Sequence, residues 1–109
     1  MNFKVNNTLL EAIVLSVISK NDIYGYKITQ EMQDVIELSD STLYPVLRRL
    51  REYGLLESYN SECLGKIRCY YKITDKGKTQ LALYQNEWLD YTTKIDIILD
   101  KTNMPVLVY

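Results

Sequence analysis

The stretch Ser39–Leu56, SDSTLYPVLRRLREYGLL, limits what this chain can become more than any other. Small polar residues suited to starting a helix are followed by Leu43, Val46, Leu47 and Leu50. At about 100° per residue these four fall in one narrow stripe, the face that a helix buries. The opposite face carries Ser41, Pro45, Arg48 and Glu52, with Tyr44, Arg49 and Arg51 on its flanks. Gly54 is expected to end the helix, since glycine accepts the left-handed cap conformation without a Cβ penalty. A proline deep in a helix costs about 3 kcal/mol. A cap at Ser41 or Thr42 is therefore expected, which puts Pro45 in or next to the first turn. A helix sealed on one side and offering hydroxyls, a tyrosine and arginines on the other has the chemistry of one that lies in a DNA groove. Taken alone, the segment also reads as a solvated amphipathic helix.

The segments before it supply a partner helix and a short turn. Thr8 and Glu11 have the spacing of a capping box. The helix they open, to about Ser19, is apolar almost all round (Leu9, Leu10, Ala12, Ile13, Val14, Leu15, Val17, Ile18). Such a helix must be covered on every face, and in a small chain a second copy is the economical cover. Tyr24-Gly25-Tyr26 precedes a second amphipathic segment with Ile28, Met32, Val35 and Ile36 as its expected buried positions. Gly25 marks a tight entry or a close approach, and Lys27 and Gln30 lie on another face. Only Glu37–Asp40 separates this segment from the next helix, the spacing of a helix-turn-helix.

Past Gly54 the period changes from helical to alternating. Leu55–Tyr59 and Arg68–Thr74 read as two strands, and Asn60–Ile67, with Gly65, as the loop between them. A helix-turn-helix followed directly by a β-hairpin is a winged helix, and Lys66 and Arg68 would be the wing's cations for phosphate or minor groove. Thr74 and Asp75 then suit the start of a last helix running to about Lys101. Its apolar positions Leu81, Tyr84, Trp88, Tyr91, Ile95 and Ile98 are spaced 3, 4, 3, 4, 3, a coiled-coil seam. Ala82, Leu89, Ile97 and Leu99 add further apolar contacts. Pro105 ends any helix there, leaving a short tail.

Charge and composition narrow the function. The net charge of −1 is unevenly spread: residues 39–78 hold eight Lys or Arg against five acids, and the rest five against nine. Counterion release depends on the charges at the contact, so a locally basic segment suffices for nucleic acid. Histidine is absent and there are only two cysteines, Cys63 and Cys69. The usual general base and a typical structural zinc site are therefore missing, and no phosphate loop or nucleophile elbow occurs. No enzyme activity, metal or cofactor is expected. No apolar run reaches the roughly 20 residues of a membrane span, and the N-terminus lacks a signal-like region. A cytoplasmic protein with reduced thiols is expected.

The order and wording of these motifs resemble the PadR family of bacterial transcriptional regulators over roughly residues 8–100. Ser41-Thr42-Leu43-Tyr44-Pro45-Val46-Leu47-Arg48-Arg49-Leu50 is close to the family's Thr-Leu-Tyr-Pro signature and its trailing Arg-Leu. Tyr24-Gly25-Tyr26 resembles its Tyr-Gly-Tyr turn, and Tyr70–Gly77 its exit from the wing. The departures are Asp40-Ser41, where a pair such as Pro-Gly is usual, and Arg51, where an acid is common. Asp40 would bring a negative charge close to DNA.

The resemblance implies a mainly α fold with a small β-hairpin: a winged helix-turn-helix over 1–78, a dimerisation helix over 79–101 and a tail over 102–109. It implies a homodimeric repressor on double-stranded, palindromic DNA, with no membrane partner. Ser41, Thr42, Tyr44 and Arg48 would face the major groove with Arg49 beside them, Tyr26 and Lys27 would lie near the backbone, and Lys66 and Arg68 would serve the wing. Leu81, Tyr84, Trp88, Tyr91, Ile95 and Ile98 would form the dimer seam. The single last helix looks like the short branch of the family. In some short members a tryptophan here lines a cavity for flat aromatic compounds, a role open to Trp88 with Tyr84 and Tyr91; the same residues also suit a plain dimer core. Cys63 and Cys69 flank the wing tip, as a staple and redox switch or as ordinary thiols. The competing functional reading is a dimeric winged-helix protein-interaction module with DNA binding lost or secondary.

Overall fold

The helix at the centre of the sequence forms with its stripe fully sealed. In a computed structural model that describes residues 6–99, α3 spans Asp40–Glu52, and Leu43, Val46, Leu47 and Leu50 are each 2% exposed or less. Burying four such side chains contributes on the order of 6–12 kcal/mol, an upper bound because the unfolded chain already hides some of this surface. Gly54, at φ 77°, closes the helix: its N–H donates to the Arg51 carbonyl and that of Leu55 to the Leu50 carbonyl, a Schellman motif. The start lies earlier than expected. Ser39, not Ser41 or Thr42, is the cap residue, so Pro45 is the sixth residue of the helix and sits in its second turn. The proline has no N–H for the Ser41 carbonyl, so one intrahelical hydrogen bond is missing there.

α1 (Asn7–Lys20) packs Leu10, Val14, Leu15 and Ile18 into the same core. Its cap is Asn6, whose Oδ1 accepts from the Leu9 N–H at 2.8 Å, rather than Thr8. Because Asn6 caps the helix, Glu11 is free for another partner, and it accepts a hydrogen bond from the Arg49 Nε at 3.0 Å. Leu9, Ala12, Ile13 and Val17 remain half-exposed. α2 (Gly25–Met32) buries Gly25, Ile28 and Met32 and then tightens, with the Val35 and Ile36 N–H groups both donating to the Met32 carbonyl. The helix therefore stops before Val35, which is 80% exposed instead of buried, while Ile36 packs partly against the core.

β1 (Ile23–Tyr24), β2 (Leu56–Cys63) and β3 (Lys66–Ile73) form an antiparallel sheet in the order β1-β3-β2. β1 is two residues long, too short to leave a sequence pattern. The eight-residue loop expected between the other strands shrinks to Leu64-Gly65, and both strands extend to meet it. Polar residues such as Asn60, Ser61 and Glu62 are compatible with a strand here because the hairpin runs out beyond the core. Leu64 at φ 52° and Gly65 at φ 78° are both left-handed, as a type I′ turn requires. Holding a leucine there costs roughly 1–2 kcal/mol. Cys69 pairs with Asn60 and Cys63 with Lys66, which puts the two thiols on opposite faces of the hairpin. Both are free, and a staple between them is excluded.

α4 (Asp75–Leu99) starts inside the segment assigned to the winged domain, and its expected end near Lys101 and the tail fall outside the described residues. Thr74 is its cap, as expected: its Oγ1 accepts from the Gly77 N–H at 3.0 Å. The same hydroxyl donates to the Gly54 carbonyl at 2.7 Å, and Lys76 Nζ donates to the Tyr53 carbonyl at 2.8 Å. The end of α3 and the start of α4 are thus clasped together. Gly77 lies directly on the Leu55 carbonyl, with Ile73 Cγ1 2.7 Å from where a Cβ would stand. Gly77→Ala is therefore expected to destabilise the fold by on the order of 1–3 kcal/mol in urea unfolding. That sign is opposite to the roughly 1 kcal/mol an alanine gains at an open helix position.

Candidate nucleic-acid interface

With one side of α3 sealed, its other side is committed to solvent. Ser41, Tyr44 and Arg48 are all exposed and lie within a 60° arc at 100° per residue. The helix is polarised to match its dipole, with Asp40 in the first turn and Arg49 and Arg51 in the last. Thr42 is exposed but 100° round from Ser41, and it lines the groove between α1 and α4. The Ser39 hydroxyl lies 3.0 Å from that of Ser41 and 3.1 Å from that of Thr42, so three hydroxyls gather at the helix entry.

Two of the arginines are tied down. Arg49 is turned to α1 by its ion pair with Glu11, whose side chain is only 13% exposed. Arg49, on the flank of α3, is thereby drawn towards α1 and away from Ser41, Tyr44 and Arg48. Arg51 donates to the Ser58 hydroxyl of β2 at 3.2 Å. Arg48 makes no ion pair among the described residues.

Three residues expected to act together from distant parts of the chain do meet. Tyr26, Tyr44 and Arg68 line one hollow of about 220 Å³ between the start of α2, the outer side of α3 and β3, with Ile67, Cys69 and Tyr71 completing it. Gly25 makes the meeting possible. A Cβ there would lie 2.7 Å from the Tyr44 hydroxyl and 3.1 Å from its ring, so the glycine is the seat of the tyrosine. Burial, then the neighbouring Cys69, pushes the Tyr71 hydroxyl up to about 12, so it stays protonated across the neutral range.

The wing cations divide. Lys66 is exposed at the tip. Arg68 lies half-buried with its guanidinium 4.6 Å over the Tyr24 ring, and its Nε has no hydrogen-bond partner among the described residues. Tyr24 in turn meets Tyr70 edge-on at 5.5 Å, and Tyr70 stacks on Tyr59 at 5.7 Å. Tyr59 donates to Asp22 at 2.6 Å, and that bond raises its hydroxyl above the ordinary tyrosine value. This aromatic row braces the outer face of the sheet. The aromatic and β-branched richness of β3 is visible in the sequence, but Tyr24 as the platform for Arg68 is not, because β1 is not.

The seam of α4 also divides. Leu81 is buried in the chain's own core and Tyr84 packs against it, so these two are not free for a partner. Trp88, Tyr91 and Ile98 are 49%, 60% and 77% exposed, and the Trp88 and Tyr91 rings lie 6.3 Å apart. Trp88 also borders a largely apolar groove of about 870 Å³ formed with Leu9, Ile13, Ile36 and Leu38. No group of metal-ligating side chains occurs among the described residues, and none of their helices is long and apolar enough to cross a membrane.

Comparison with known proteins agrees with this architecture. The Transcriptional regulator PadR-like family matches residues 14–83. The chain is similar to the crystal structure of smu.1704 from Streptococcus mutans, with 35% identity, a TM-score of 0.87 and complete coverage of both chains. It is also similar to the PadR-like transcriptional regulator BC4206 from Bacillus cereus, with 32% identity and a TM-score of 0.79 over 84% of this chain and 92% of that one. The transcriptional regulator Rv3488 of Mycobacterium tuberculosis is 35% identical over 70 residues, 63% of this chain and 65% of that protein.

The seat under Tyr44 is directly testable. Gly25→Ala is expected to lower stability by about 1–3 kcal/mol in denaturant unfolding. In a Tyr44→Ala background most of that loss should vanish, and a double-mutant cycle measures the coupling.

Proposed function

The chain belongs to the PadR-like family of transcriptional regulators, which are DNA-binding winged helix-turn-helix proteins rather than enzymes, and from that premise we propose that it works in the cytoplasm as a homodimeric repressor of a palindromic operator. The observation that carries this reading is α3 itself, sealed along one stripe and presenting on the other Ser41, Tyr44 and Arg48, which has no ion pair among the described residues. Arg48 reads a base edge in the major groove, with Ser41 and Tyr44 beside it, while Thr42 is turned to the groove between α1 and α4. Tyr26 and Lys27 hold the backbone next to that groove, and Lys66 meets it at the wing, while Arg68, laid over Tyr24, braces the hairpin. Arg49 serves the fold rather than the duplex.

Dimerisation follows from the surface that α4 leaves open. Leu83, Trp88, Leu89, Tyr91, Ile97, Ile98 and Leu99 are each 49% exposed or more on one helix, an unusual load for a monomer. A second copy covers the side that carries Trp88, Tyr91 and Ile98, and its α4 lies along the half-exposed side of α1. The chain then divides by role into a winged domain over 1–78, a dimerisation helix over 79–101 and a tail. Two copies related by a two-fold axis place their α3 helices on half-sites about 34–36 Å apart. The groove beside Trp88 is also where a flat aromatic effector would enter, stacking on the tryptophan next to Tyr84 and Tyr91 and altering the angle between the two copies.

Selection of duplexes from a random pool reports binding, half-site and spacing together, and a palindrome with that spacing is the expected outcome. On the selected duplex Arg48→Ala is expected to weaken binding by about 1–3 kcal/mol and leave the dimer intact. Affinity should fall steeply with added salt; salt-insensitive association with a protein instead would favour the interaction module. Ile98→Glu is expected to give a folded monomer in sedimentation equilibrium at concentrations where the parent is a dimer. A parent that sediments as a monomer refutes the arrangement.

A further inference from the structure

We propose that the wing ends in an apolar wedge, Leu64, which enters the minor groove of the bound duplex and opens a base step there; this rests on the DNA-binding reading above. Leu64 occupies the first of the two left-handed positions in the turn, at φ 52°. Type I′ turns take Asn, Asp or Gly at that position because those residues tolerate positive φ. A leucine has neither a short polar side chain to bond locally nor a missing Cβ. The strain has no return within the chain, since Leu64 is 92% exposed, the highest among the large apolar residues described. Next to it, a Cβ built on Gly65 would meet nothing within 4 Å, so the tip stands clear of the rest of the molecule. A strained, unpacked apolar side chain at the end of a projecting element points to a contact made outside the chain.

The chemistry at the tip favours a base step over the other possible contacts. A clamp for phosphates would gather cations at the tip, but of the two wing cations Lys66 alone stands there, across from Cys63, and Arg68 is laid over Tyr24. A protein interface buries on the order of 1,000 Å² or more, whereas a two-residue tip projects a single large side chain. One leucine is enough for a minor-groove wedge, which acts by inserting between stacked bases and kinking the duplex. The position fits as well. Ile67, 78% exposed and three residues from Leu64, lines the same hollow as Tyr44, so the tip continues the face that carries the outer side of α3.

Leu64→Asn separates this role from a structural one, because asparagine suits the left-handed turn better than leucine. The full-length variant and parent are compared on an end-labelled duplex obtained by selection with the parent, with affinity and end-to-end energy transfer as readouts and Arg48→Ala alongside. The expected result is a thermal midpoint equal to or above the parent's, affinity lower by about fivefold or more, and a straighter duplex. A variant that binds and bends the duplex as the parent does, while Arg48→Ala loses affinity, overturns the wedge and leaves the repressor reading standing. A lowered midpoint removes the strain on which the wedge rests and overturns it too. Failure of the parent to select any duplex overturns both.

Discussion

The burial of one stripe on α3 sets the direction of everything else on the surface. Leu43, Val46, Leu47 and Leu50 leave the helix no rotational freedom, because turning it by one residue would expose a leucine and bury an arginine. The orientation of Ser41, Tyr44 and Arg48 is therefore a consequence of the core, not a separate design. The C-terminal end of the helix is fixed with it. Glu11 holds Arg49 from α1, and Thr74 and Lys76 hold the carbonyls of Gly54 and Tyr53 from the far side. A site on a helix held in this way is pre-organised for a rigid partner such as a duplex.

The glycines explain how so small a domain brings its parts close. Gly25 lets the Tyr44 ring lie against the start of α2, and Gly77 lets α4 start against the Leu55 carbonyl. In each case a missing Cβ replaces a gap with contact, and in each case the contact joins the outward side of α3 or its exit to a neighbouring element. Packing at this density leaves α4 to carry its remaining apolar residues past the domain, and that surplus is what the dimer reading accounts for.

The hairpin follows a different logic. Its base is braced by the Tyr24, Tyr70 and Tyr59 row and by Arg68 laid across it. Its tip has no such support and ends in a leucine held in a conformation that leucine disfavours. A rigid base under a strained, open tip is the arrangement of an element built to reach a partner. The pairing register also decides the cysteines, since an offset of an odd number of residues puts Cys63 and Cys69 on opposite faces.

Much of the fold was legible in the chain itself, because it is written in period and punctuation. The 3–4 spacing of the leucines in α3, the stop at Gly54, the capping by Thr74 and the close approach at Gly25 follow from residue types and their spacing, and the structure has them all. What spacing does not carry is the choice between equally good local options. Asn6 and Thr8 both suit a cap; Ser39, Ser41 and Thr42 all suit another; the register of packing on the core chose among them. The two-residue β1 exists only because β3 is there to pair with it, and with it comes the platform under Arg68. Likewise Arg48 and Arg49 are alike and adjacent in the chain, and the position of Glu11 on a separate helix decides that Arg49, on the flank of α3, is drawn into the fold. Sequence alone determined which elements form and which face of each is apolar, because those are properties of a few neighbouring residues. Tertiary structure decided which polar groups are consumed in holding the elements together and which remain for a partner, because that depends on residues from separate elements, as many as 38 positions away.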